Sequence, residues 1–165
     1  RAVGRVASRH HATALHHRPL AVRPADPQLG LKVAVYYFMT IGLHVVLMAL
    51  TMGLYGLVVD RSPETLMRGA WGLLLGGGVV YGLHRAILSR VVDAGRRANV
   101  ARVFAGLNVV LCGLIGMGAL IATSVLLLQE HVPEEGFKLA GVVMAVYLGA
   151  WTQQVRRLIA MSEVA

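Results

Sequence analysis

The chain has 165 residues, 56% of them hydrophobic and 15% charged, and a formal net charge of +8. Its mean hydropathy of +0.64 excludes an ordinary water-soluble globule, whose composition includes about a quarter charged residues. Cys112 is the only cysteine, which excludes an intrachain disulfide and a cluster of thiolate metal ligands.

A basic arm, residues 1–32, comes first. Arg1, Arg5, Arg9, Arg18, Arg23 and Lys32 against Asp26 leave it at +5. Arg1–Pro24 has no acid and carries Ser8, Thr13 and several alanines, a composition like that of an organelle-targeting peptide or its retained remainder. The competing reading is a basic tail lying on anionic lipid or on partner subunits. His10, His11, His16 and His17 are metal-ligating residue types, but a short histidine tract on such an arm is more often incidental. Pro19, Pro24 and Pro27 oppose helix over Arg18–Gly30, so that segment reads as extended up to the first apolar stretch.

Four apolar segments follow, at 33–59, 66–88, 103–128 and 137–158. Each is near or above the ~20 residues that carry a helix across ~30 Å of hydrocarbon. They predict an all-α membrane protein whose residues 33–165 form one antiparallel bundle of four transmembrane helices. Ser62-Pro63-Glu64 supplies a capping hydroxyl, a proline for the first helical position and an acid in the first turn, which starts the second helix. Pro133-Glu134-Glu135 repeats the device before the fourth. Asp93-Ala94-Gly95-Arg96-Arg97 offers a glycine stop and a basic restart between the second and third.

Charge alternates between the connections. Asp60, Arg61, Glu64 and Arg68 cancel; Arg85, Arg90, Arg96, Arg97 and Arg102 against Asp93 leave +4. Glu130, Glu134, Glu135 and Lys138 leave −2, and Arg156, Arg157 and Glu163 leave the tail at +1. Because basic loops stay on the cytoplasmic or matrix side, the arm, the second connection and the tail share that side, and both termini face it. Arginines at span ends also explain the basic pI without nucleic acid. Tyr36, Tyr37, Phe104 and Trp151 at the positive face, with Tyr55, Trp71 and Phe137 at the other, read as interfacial anchors.

Glycines at intervals of four suggest where helices meet. Gly72 and Gly76, then Gly78, Gly82 and Ala86, form such a series in the second span, as do Gly141, Ala145 and Gly149 in the fourth. Small residues on one stripe let backbones approach closely, which is how helices associate in lipid. Gly76-Gly77-Gly78 does not read as a phosphate loop, because it is mid-span and lacks the lysine and hydroxyl such a loop requires.

Polar residues inside the spans are the candidate site, since each is costly without a partner. No Asp or Glu lies there, which counts against a proton- or cation-coupled transporter. At ~1.5 Å per residue, His44 lies about 3 Å from mid-span, His84 about 10 Å and Asn108 about 11 Å, all toward the positive side. His44 and His84 could ligate haem b through their ring nitrogens, with Arg85 or Arg90 near the propionates. Tyr81, one turn before Arg85, and Asn108 would serve a quinone head group in the same pocket. The blander reading has His44 bonded to Thr40 or to a backbone carbonyl and His84-Arg85 as an interfacial helix end. Met48 and Met52 continue the His44 stripe and could hold copper, although such stripes usually pack. Nucleophilic triads, paired carboxylates and nucleotide fingerprints are all missing, so independent catalysis is not expected.

Arg18-Pro19-Leu20, Pro27-Gln28-Leu29 and a first span containing a histidine resemble the start of the cytochrome b anchor subunits of succinate dehydrogenase. That resemblance implies haem or quinone binding in a respiratory membrane. It covers only the arm and the start of the first span. The family has three spans per subunit, and its Arg-His-Leu signature with a following Asp is not reproduced by Leu88-Ser89-Arg90-Val91-Val92-Asp93. The size, four spans and glycine seams are similar to the inner-membrane translocase channel family, but its motif is missing. The expectation is therefore a small, mainly structural subunit of an energy-converting complex of the inner mitochondrial membrane or a bacterial inner membrane. Its partners would be other membrane subunits and anionic or structural lipids. A haem b or quinone anchor is the first alternative, a facilitator or translocase pore the second.

Overall fold

The computed structural model describes residues 26–59, 63–91 and 98–163. These residues form four helices and no strand: α1 (Leu29–Val58), α2 (Pro63–Val91), α3 (Ala98–Leu127) and α4 (Glu134–Glu163). Three are long and apolar enough to cross a membrane, over Leu29–Val58, Glu64–Arg90 and Asn99–Leu127. The chain is thus a membrane-embedded helical protein. The fourth predicted span is also a 30-residue helix, but it falls short of that apolarity. Lys138, Gln153, Gln154, Arg156 and Arg157 dilute it.

The helices run past the predicted spans at most of their ends. α1 starts at Leu29, so Leu29–Lys32 belong to the helix and not to the arm. Asp26 organises this start: its Oδ1 accepts from the Gln28 N–H at 3.0 Å and its Oδ2 pairs with the buried Lys32 ammonium at 2.6 Å. A lysine so close to the apolar run is held by a carboxylate instead of water, which is what its burial demands. α2 opens at Pro63 with Glu64 in its first turn, as the proline–acid signal predicts. At α4 the proline stands just outside, its carbonyl accepting from Phe137 at 3.0 Å, while Glu134 and Glu135 fill the first turn. Residues 1–25 of the arm, the capping Ser62 and the Asp93–Arg97 turn lie outside the described residues.

Inside the helices, several hydroxyls are satisfied by their own backbones. Thr51 donates to the Leu47 carbonyl at 2.9 Å, Thr123 to Ala119 at 2.8 Å and Thr152 to Leu148 at 2.9 Å. In lipid, where no water competes, this keeps short polar side chains from opening the ladder.

Two helix pairs make up the molecule, α1 with α2 and α3 with α4, joined by lighter contacts of α1 with α4 and α3. Their seams are built on glycines other than those the spacing selected. A Cβ on Gly42 would lie 2.9 Å from the Tyr81 backbone N and 3.1 Å from the Gly77 carbonyl; one on Gly77 would lie 2.8 Å from Val45 Cγ1. Farther along, Gly56 faces Leu66. In the second pair Gly113 faces Trp151 and Gly116 faces Leu148, at 3.1 and 2.7 Å for the same added atom. Both sets of contacts run in opposite chain order along the two helices. By contrast Gly72, Gly76, Gly78, Gly82, Gly141 and Gly149 meet nothing within 4 Å, and Ala86 and Ala145 are exposed. The expected seams are corrected accordingly: spacing of four finds a stripe of small residues, but not which side of the helix the partner occupies.

Between the pairs lies a small core of Leu47, Cys112 and Tyr147, flanked by Leu43, Val143, Val146 and Ala150. Arg102 of α3 ties the far end of α4 by donating from Nη2 to the Met161 carbonyl at 2.8 Å. Replacing Gly42 by Val forces the α1 and α2 backbones apart. The expected loss is about 1–3 kcal/mol, the usual range for overpacking, read as a lower thermal midpoint in detergent. Gly72→Val, on the open face of the same pair, leaves the midpoint within error.

Candidate functional site

The contact pattern leaves a wedge. α2 packs almost wholly on α1 and makes no substantial contact with α3 or α4. At the end where α1 and α3 begin and α2 and α4 finish, the gap is a cavity of about 350 Å³ lined by all four helices. α1 contributes Tyr36, Met39, Thr40 and Leu43; α2 contributes Tyr81, Arg85 and Leu88. α3 lines it with Ala101, Phe104, Ala105 and Asn108, and α4 with Gln154, Arg157 and Met161.

The wall is half built by packing and half by polar groups. Tyr36 stacks on Phe104 with ring centroids 5.8 Å apart and planes at 18°, fixing the α1–α3 side. Asn108 is buried, and its Nδ2 donates to Thr40 Oγ1 over a long 3.5 Å. Its Oδ1 is buried with no hydrogen-bond partner among the described residues. Gln154 is 4% exposed. Arg85 and Arg157 stand at the exposed margin, and none of the lining residues is an Asp or Glu. The site therefore joins two guanidiniums at its rim to two neutral amides within.

Three of the five residues singled out in the sequence meet here: Tyr81, Arg85 and Asn108. The two histidines do not line it. His44 stacks on Tyr147 of α4, with centroids 6.3 Å apart, lies close to Asn108 and leaves its Nε2 buried without a partner. His84 stacks on the half-exposed Phe38 at 5.0 Å, and its Nδ1 is 2.8 Å from the Val80 carbonyl. The imidazoles thus face different neighbours, His44 toward α3 and α4 and His84 along α1. The sequence placed them at similar depth, and depth says nothing about azimuth. Among the described residues no group of three or more His, Cys, Asp or Glu could hold a metal. The methionine stripe divides as well, since Met52 packs over Gly69 while Met48 is exposed.

Gln154 and Arg157 escaped the sequence reading, which treated the basic pair Arg156-Arg157 as tail charge. Their spacing carries a signal: Gln154, Arg157 and Met161 recur at three and four residues and so share one helix face. Comparison with protein-family models, curated proteins and solved structures finds no match.

An amide with an unpaired buried oxygen gives little to stability, because the desolvation it suffers is not offset by a full set of hydrogen bonds. Asn108→Leu, for which the cavity has room, is expected to leave the unfolding free energy within about 1 kcal/mol of the parent or above it. A large loss on thermal unfolding in detergent would show instead that Asn108 is a structural hydrogen-bonding residue.

Proposed function

We propose that this chain is a membrane subunit that acts within a larger assembly, mainly as scaffold, and that α2 is the helix presented to its partners. The observation that carries this is the outer face of α2. Gly72 and Gly76 lie one turn apart with nothing within 4 Å, beside Leu75, Val79 and Leu83, each more than half exposed. Glycine inside a helix costs about 1 kcal/mol relative to alanine, and lipid contact returns nothing for it. Close approach of another backbone does, as Gly42 and Gly77 do within the chain. The same device on the outer face of α2 is explained by a helix from another subunit.

In this reading α4 is the fourth span. It pairs with α3 from Arg102–Met161 to Gly116–Leu148, so a membrane-crossing α3 brings α4 to the same depths. The polar residues that lower its apolarity include the buried Gln154, and Arg157 at the cavity margin. The charge alternation then favours both termini on the matrix or cytoplasmic side. The acid-free basic arm favours the inner mitochondrial membrane, with a bacterial inner membrane as the alternative and an energy-converting complex as the parent.

The test uses full-length protein from its native membrane in a mild detergent. Other membrane polypeptides are expected to co-purify, and Gly76→Leu is expected to release them without moving the thermal midpoint of the chain itself. A stable wild-type monomer without companions would sink the proposal, as would a Gly76→Leu chain that still assembles.

A further inference from the structure

Arg85 of α2 and Arg157 of α4 come from helices that barely touch, yet both border the same cavity. Both side chains are exposed, and none of the lining residues is an Asp or Glu. A neutral quinone head would leave both charges without a counter-ion among the lining residues. An anion supplies one, and guanidinium groups bind phosphate through paired, charge-assisted hydrogen bonds. Beneath the rim, Asn108 Oδ1 is a buried acceptor with no hydrogen-bond partner among the described residues, which a hydroxyl donor would satisfy in competition with the neighbouring His44 side chain. Leu43, Leu88 and Phe104 supply the apolar part of the wall. A phosphate, a hydroxyl and an apolar body together describe an anionic phospholipid with a hydroxylated head group.

We propose that this cavity is a specific site for such a lipid, its phosphate held between Arg85 and Arg157 and its head-group hydroxyl directed to Asn108. The lipid wedges the α1–α2 pair against the α3–α4 pair and fills the gap that their limited contact leaves. This site is independent of the partner face on α2, so either can fail alone.

The experiment exchanges the purified full-length protein into detergent containing dioleoylphosphatidylglycerol or dioleoylphosphatidylcholine. Lipid retained per chain is then measured after gel filtration. Phosphatidylglycerol is expected to be retained in preference. Arg85→Gln and Arg157→Gln each lower its retention about fivefold, the equivalent of ~1 kcal/mol per basic residue. Arg90→Gln, on α2 but outside the lining, leaves it unchanged. For the wild-type chain, which needs no variant to fold, raising salt from about 0.05 to about 0.5 M should weaken retention several-fold. Equal retention of both lipids, salt-insensitive retention, or folded arginine variants that bind as the parent does would each overturn the proposal. Displacement by millimolar inorganic phosphate would assign the site to a soluble anion. Displacement by a decyl-chain quinone, with no effect of the arginine variants, would assign it to a redox carrier. Either result overturns the lipid site.

Discussion

The close approach of α1 and α2 at Gly42 and Gly77 is the contact from which the rest of the arrangement follows. In lipid, hydrophobic burial does little to bring one helix to another, and van der Waals contact over a smooth seam takes its place. Here the seam is tight enough that a single methyl group would meet backbone atoms of the opposite helix. α2 is committed to α1 by that seam, and α1 is the helix that also reaches α3 and α4. A second pair, tightened at Gly113 and Gly116, can approach α1 but not α2. The cavity is the geometrical remainder of these two commitments.

That remainder explains where polar groups sit. Thr51, Thr123 and Thr152 bond their own backbone, which needs no partner helix. Asn108, Gln154, Arg85 and Arg157 border the cavity that the helix pairs leave between them. The shortfall in α4 apolarity has the same origin in part, because hydropathy sums over the whole circumference of a helix. Gln154 counts against a span in that sum even though it is almost entirely buried.

Much of the fold was legible in the sequence, and the reasons are local. Apolar runs of the required length mark the helices, and Pro63 with Glu64 starts α2 where the capping signal put it. The seams were not legible, because α2 carries small residues on opposite faces. Gly72 and Gly76 fall on one and Gly77 on the other, and only the position of α1 selects between them. The site divides along the same line. Counting residues from mid-span put His44, His84 and Asn108 in one leaflet, and Arg85 and Tyr81 joined them as neighbours of His84 on the same helix; of these, Tyr81, Arg85 and Asn108 share a cavity wall. A count along the axis cannot show that the His44 ring faces Tyr147 and the His84 ring Phe38.

The composition of the wedge bears on why it is there. A bundle selected for stability alone would close such a gap with leucine or phenylalanine, since an unfilled volume and an unpaired amide both cost free energy. This chain closes its core that way around Leu47, Cys112 and Tyr147. About one helical level away, at the opening between its two helix pairs, it keeps an amide oxygen without a partner among the described residues, and two arginines with no Asp or Glu among the residues that line the cavity. The charge that would relieve the arginines there would also couple those pairs together.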